Sequence, residues 1–538
     1  MITKLENDVN DLSKTDKPGK DLTGRDRLAS NVLFTWAAQS VFIIAGFVLP
    51  RTIDRRLGQE LLGVWDFSWS LVNYFQLIPL GLASSVNRYV ARYRAARDTA
   101  GVNQVVSSVS FVLGVAGLVI TGLTIGVSLL LPQWFSARLG ANLREAQWVV
   151  FFLGASLGVQ VAFSAFNGVL TGCHRWGLHN LNTSGWYAVT VTGMIVALLL
   201  GGQLWAIAAM TLVGQMLACA RRVILSYRVC EGLHVRRSLV RISVIRDSFV
   251  FGVKTLIPSI SNLLLNQTTN ILILGYLGPA ALAMYSRPRS LVYYVDTLVR
   301  KMAMILIPTT SSLESTGNLR EIRELVVSSA RYSLYMALPI VLILMAFGGP
   351  VMRLWMGPRY ANGWIPAILA GGYLAVLVQL PGLYILTGLN AHGRAGIARL
   401  VASLCSVGLN ILVLGYFKWG LIGTAIAVSV PLTIVNVVDI PLLISRRVGL
   451  PVGRYCLSVV TGPLKHTLPF TICLVGARLI FQNKPLMALG LGGALGSIAL
   501  AILYWRYVLP SRLKRWISHY PRKTLQWAGL LRTTEVAS

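Results

Sequence analysis

The stretch LGQELLGVWDFSWSLVNY, residues 57–74, returns as LGPAALAMYSRPRSLVYY at residues 277–294. Laid over each other without a gap, 7 of 18 positions are identical, and Trp65 falls opposite Tyr285. Two further motifs recur in the same order. VVSS at 105–108 comes back at 326–329, and VLTG at 169–172 comes back as ILTG at 385–388, so the offset stays between 216 and 221 residues. Apolar helices share Leu, Val and Gly by chance, but a register held over three separated motifs marks an internal duplication.

Composition says in which solvent the duplication folds. Of 538 residues 55% are hydrophobic and only 13% charged, with a mean hydropathy of +0.64. Soluble domains carry about 25% charged residues. A crossing helix needs about 20 apolar residues, and fourteen stretches qualify: 29–50, 62–87, 105–131, 146–172, 181–200, 203–225, 247–275, 288–309, 332–352, 364–388, 397–417, 420–444, 462–482 and 485–507. The repeat offset spans six of them. Six is even, so the copies run in the same direction, as a parallel repeat about an axis along the membrane normal with a site between the halves. The expectation is an all-α polytopic membrane protein of two six-helix repeats plus two C-terminal helices. Its parts are a tail at 1–28, helices 1–6 at 29–228, a basic linker at 229–246, helices 7–12 at 247–448, helices 13–14 at 449–508, and a tail at 509–538.

The net charge of +30 follows from topology. Counting those near a span end with the adjoining loop, 34 of the 49 Lys and Arg gather on the side of the two tails, 11 lie opposite, and four (Lys254, Arg300, Lys301 and Arg478) are left inside spans. Basic loops stay cytoplasmic, which puts both termini and the linker there. No basic-aromatic module for nucleic acid is present. The six cysteines are scattered without a CxxC pair, and read as small buried hydrophobes. No nucleophile–base pair, metal-spaced cluster or phosphate-cradling loop marks an enzyme or a cofactor site. The polar start of the chain lacks the apolar core of a cleaved signal and reads as a cytoplasmic tail.

Charges inside spans are the chemical clue. The run DTLVRKMAMILIP, residues 296–308, places Asp296, Arg300 and Lys301 in the eighth span. Each ionised group there costs roughly 2.5–3.5 kcal/mol on insertion scales, and such groups face a bundle interior or a watery cavity. Asp296 and Arg300 are spaced i, i+4 and pair on one helix face. Lys301 points elsewhere. Lys254 lies roughly 10 Å along the preceding span at 1.5 Å per residue, a depth from which lysine reaches the interface. Arg88 ends the second span. The seventh span, LIPSISNLLLNQTTNILILG, carries Asn262, Asn266, Gln267 and Asn270, three of them on one face at i+4 steps; they line a cavity or bond between helices. Asp66 reads as a carboxylate near a helix end, able to take a proton or cation.

Several stretches resemble a known family: LGQELLGVWDFSWSLVNY with PLGLASSVNRYVARYRA, then FNGVLTGCHRWGLHN, RLWMGPRY, LNILVLGYF and GLIGTAIAV. Over about residues 31–447 the chain looks like the polysaccharide transporters, the O-antigen and exopolysaccharide repeat-unit flippases of the multidrug/oligosaccharidyl-lipid/polysaccharide exporter superfamily. It departs from them at Pro79 and Asn270, where the family often has carboxylates, so their ion-coupling role is not carried over. The resemblance implies a V-shaped pair of lobes that moves undecaprenyl-diphosphate-linked glycans across the bacterial inner membrane by alternating access, without a cofactor. Membrane lipids, a polysaccharide polymerase and a co-polymerase are the implied partners. Arg300, Lys301, Lys254 and Arg88 would meet the diphosphate. A lipid II-type flippase, a multidrug exporter of the same superfamily, and a non-transport scaffold are the alternatives.

Overall fold

The computed structural model describes residues 28–79, 81–253, 256–509, 511 and 514. Among them every regular element is helical. In chain order the α-helices are α1 Leu28–Leu57, α2 Gln59–Tyr74, α3 Leu82–Ala95, α4 Thr99–Leu139, α5 Leu143–Ala162, α6 Ala165–Gly172, α7 Trp176–Leu199, α8 Leu204–Val229, α9 Ile242–Val253, α10 Leu256–Leu263, α11 Thr269–Leu277, α12 Pro279–Ala303, α13 Leu306–Ser315, α14 Leu319–Trp355, α15 Trp364–Gly388, α16 Gly393–Ile411, α17 Gly420–Ile434, α18 Ile440–Val448, α19 Val452–Ile480 and α20 Pro485–Leu503. Eight helical segments among the described residues are long and apolar enough to cross a membrane, and one of them, Thr99–Ala162, holds both α4 and α5. The chain is a multi-pass membrane protein.

Several expected spans are broken rather than continuous. Residues 62–87 divide into α2 and α3 around a turn in which Gly81 takes a φ of 70°, after a proline that cannot donate to a helix ladder. Residues 247–275 divide into α9, α10, a π-helical turn at Leu264–Thr268 and α11. The eighth span starts earlier than its hydropathy suggests: α12 begins at Pro279, so Arg287, left outside the span above, and Arg289, placed at its very start, both lie well inside a helix.

The duplication is written in the backbone. Left-handed residues recur in pairs 216 to 220 positions apart: Gly58 with Gly278, Arg97 with Gly317, Gly140 with Gly357, His174 with Asn390, Gly201 with Lys418, and Gly232 with Gly449. In the first pair φ is 93° and 88°, a conformation only glycine adopts without strain, which explains why both copies open on Leu-Gly. The residue after the second pair caps the next helix in each half. Asp98 accepts from the Gly101 N–H at 2.8 Å, and Asn318 from the Glu321 N–H at 3.2 Å.

The VVSS motif has a structural use in the first copy. Asn103 exchanges hydrogen bonds with Gly232 and His234, both at 2.9 Å, while Ser107 and Ser108 accept from the Arg236 and Arg241 N–H groups at 3.2 and 2.9 Å. The start of α4 thus holds the basic linker that leaves α8. In the second copy the start of α14 holds the chain leaving α18, with Arg323 donating to the Val448 carbonyl at 2.6 Å and Arg331 to that of Ser458 at 2.8 Å.

By packing, the chain divides into two compact units, Met1–Tyr294 with Gly393–Val435, and Val295–His392 with Asn436–Ser538. In the first, small residues let helices approach closely, as at Gly117 of α4 against Gly158 of α5. In the second, α14 kinks at Phe347, whose ring joins Phe470, Leu474, Ala477 and Ala488 of α19 and α20 in one core. Arg478 lies over that ring, 5.7 Å from its centroid.

Candidate functional site

In the first unit the two copies of the opening motif lie side by side. Gly63 of α2 has no side chain, and the backbone of Pro279 occupies the place where a Cβ would stand. Gln59 donates to the Ala280 carbonyl at 3.1 Å. This approach sets the register of everything further along.

One helical turn on, Asp66 meets Arg287. A single guanidinium nitrogen reaches both carboxylate oxygens at 2.5 Å, and the side chains are only 13% and 6% exposed. The pair is closed, each charge cancelling the other. Asp66 sits in the middle of α2 and is neutralised there, not at a helix end open to a proton or cation. Beyond it Ser70 accepts from the Asn270 amide at 2.9 Å, and the Tyr74 hydroxyl bonds to Thr268.

Arg289, two residues after Arg287, has a different environment. It donates to the Asn266 carbonyl and to Asn270 Oδ1, each at 3.3 Å, and to the Asn266 side-chain oxygen. All of these hydrogen-bond partners are neutral, and the carboxylate within electrostatic reach, Asp66, is already paired with Arg287, so the cluster keeps a net positive charge. The π-helical turn at Leu264–Thr268 lies where Asn266 and Gln267 are presented; such turns often occur at functional positions. The expected amide stripe is present: Asn266 donates to Asn262 Oδ1 at 3.1 Å, and Asn262 is exposed while Asn266, Gln267 and Asn270 are half-buried.

Reading spans by hydropathy missed Arg287 and Arg289, because Arg-Pro-Arg resembles a loop. The duplication held the signal. It places residues 286–289 opposite residues 66–69, in the body of a helix.

In the second unit Arg300 pairs with Asp296 through two nitrogens, the shortest contact being 2.8 Å, with Asp296 buried and Arg300 34% exposed. Tyr384 of α15 lies beside Arg300. Lys301 is exposed, as is Arg88 on α3. Lys254 lies outside the described residues.

With this geometry in hand the comparisons have a context. Residues 102–364 match the family described as Polysaccharide biosynthesis protein. The chain is 24% identical over 440 residues to "Uncharacterized membrane protein EpsK" of Bacillus subtilis (strain 168), covering 78% of this chain and 84% of that one. It is 20% identical over 405 residues to "Putative O-antigen transporter" of Shigella flexneri, covering 73% and 93%. The solved lipid II flippase MurJ, in an inward closed conformation, superposes with a TM-score of 0.63 at 13% identity, over 89% of this chain and all of that one. Transporters of the MOP superfamily share the fold as well. Over residues 102–364 the chain is thus similar to the polysaccharide biosynthesis proteins, and its fold is that seen in MOP-superfamily transporters and MurJ.

Proposed function

We propose that this protein is a flippase for lipid-linked glycans, carrying undecaprenyl-diphosphate-linked repeat units from the cytoplasmic to the outer leaflet of the inner membrane. The two six-helix halves would alternate access around a central cavity. One observation supports the reading above the rest: Arg289, in the middle of a helix, is oriented wholly by neutral partners. A diphosphate entering hydrocarbon needs countercharge, since desolvating it unpaired is prohibitive. A guanidinium fits phosphate oxygens with two parallel donors, and one whose charge is already cancelled has less to offer. By that criterion Arg289 and Lys301 are the stronger cations, while Arg287 is structural. Arg300, paired but one-third exposed, has donor capacity facing outward. Asn262 and Gln267 supply amides suited to sugar hydroxyls.

The reading is tested by complementation in a strain lacking this gene, with Arg289→Gln and the double change Arg300→Gln, Lys301→Gln, checking membrane abundance in parallel. Normal abundance, lost export and accumulated lipid-linked units are expected. Full export by both variants would leave no cationic route for the diphosphate and favour a scaffold role.

A further inference from the structure

Arg222 is a charge with no evident reason to be where it is. It lies on α8, 4% exposed, and among the described residues it forms no ion pair. Its one hydrogen bond runs from Nη1 to the Cys219 sulfur at 3.6 Å, and its Nε has no partner. No carboxylate lies near it along the chain, since residues 146–230 contain neither Asp nor Glu. A buried charge of this kind is expensive unless something compensates it.

The facing helix is equally unsatisfied. His179, Asn182, Thr183 and Trp186 are spaced i, i+3, i+4, i+7 and so share one face of α7. His179 Nδ1, Asn182 Oδ1, Thr183 Oγ1 and Trp186 Nε1 are all buried without a partner. The two faces meet: Asn182 donates to the Ala218 carbonyl at 3.1 Å, and His179 lies beside Arg222. Native interiors leave few such atoms unpaired, and a cluster of them calls for an explanation. Three of these four atoms can donate, and the charge beside them is positive, so an anion answers most of them at once.

We propose that the seam between α7 and α8 is a binding site for a small monovalent anion of the halide class. Arg222 supplies the charge, and the N–H groups of Arg222 and Trp186, the Thr183 hydroxyl and the His179 ring supply single donors around a spherical ion. A water entering with the ion gives Asn182 Oδ1 its donor. A phosphate is the poorer fit, being larger and more highly charged than one guanidinium offsets. Because the seam is closed around these atoms, loading needs α7 and α8 to part transiently, so exchange is slow. The site is separate from the Asp66–Arg287–Arg289 cluster and does not rest on the flippase reading.

The test uses the purified full-length protein. Melting temperature is followed in potassium chloride and in potassium gluconate at equal ionic strength, and a bromide-soaked crystal is examined for an anomalous peak. A saturable rise with chloride or bromide, absent in Arg222→Gln, and a bromine peak between α7 and α8 are expected. Trp186→Phe, which keeps the charge and removes one donor, should weaken the halide midpoint several-fold and serves if Arg222→Gln does not fold. Equal melting in chloride and gluconate, an undiminished halide effect in the variants, or a seam holding only water at saturating bromide overturns the proposal.

Discussion

At the residue scale the two ion pairs of the membrane-embedded helices differ in how they could be foreseen. Asp296–Arg300 was legible from spacing alone, because an i, i+4 pair meets on any helix. Asp66–Arg287 was not, because 221 residues separate the partners and only helix packing joins them. Their energetics follow from burial. Asp66→Asn leaves Arg287 charged in a site that is 6% exposed, and breaking a buried pair from one side costs about 3–5 kcal/mol. Melting of the purified protein should fall accordingly. The double change Asp66→Asn, Arg287→Gln should recover much of that loss, since neither charge is then stranded. If the double variant is as unstable as the sum of its singles, the two residues are not coupled as the geometry says. Arg289→Lys makes a sharper functional probe, since it keeps the charge but loses the fork shared between Asn266 and Asn270. Normal abundance with reduced export is expected in the complementation assay.

At the scale of elements, most of what was misread concerns where helices begin and break. Hydropathy averages over a window, so it cannot see that α12 begins nine residues before its apolar stretch, or that a π turn interrupts the seventh span. Nor could it assign VVSS a role, because its partners in the first copy are backbone N–H groups, which leave no signature in the sequence. The glycine contacts offer a test of how close packing positions the site. At Gly63 a methyl group meets the Pro279 backbone, which cannot rotate away, whereas at Gly185, also inside a helix, nothing lies within 4 Å. Alanine in an open helix interior stabilises by roughly 0.5–1 kcal/mol relative to glycine. Gly185→Ala should therefore match or exceed the wild type in melting temperature, and Gly63→Ala should fall below it. Gly63→Ala should also weaken the Asp66–Arg287 coupling measured by a double-mutant cycle, because α2 must shift from α12 to make room. Equal behaviour of the two variants would mean that the close approach does not set the register.

For the whole molecule, sequence carried the class and the duplication, while backbone conformation carries the duplication further than sequence identity does. Arg97 and Gly317, or His174 and Asn390, share a left-handed conformation at equivalent positions without sharing a side chain. Such positions conserve the path of the chain, which is why three short motifs sufficed to find the repeat and most of its length was invisible to alignment. Charge is the other whole-molecule quantity. If the excess of +30 is a topology signal, it makes a prediction about sides. The linker after α8, with Arg228, Arg236, Arg237, Arg241 and Arg246, must be cytoplasmic, and the short α7–α8 turn must lie outside. Ser238 and Gln203 are exposed on these two segments. In a background without other reactive cysteines, Ser238→Cys should resist a membrane-impermeant maleimide in intact cells and react after permeabilisation, whereas Gln203→Cys should react from outside. The reverse pattern would invert the protein, moving the basic linker away from the leaflet where a cytoplasmically made lipid-linked substrate is loaded. The flippase reading would then lose its direction, even if the arginines bind as proposed.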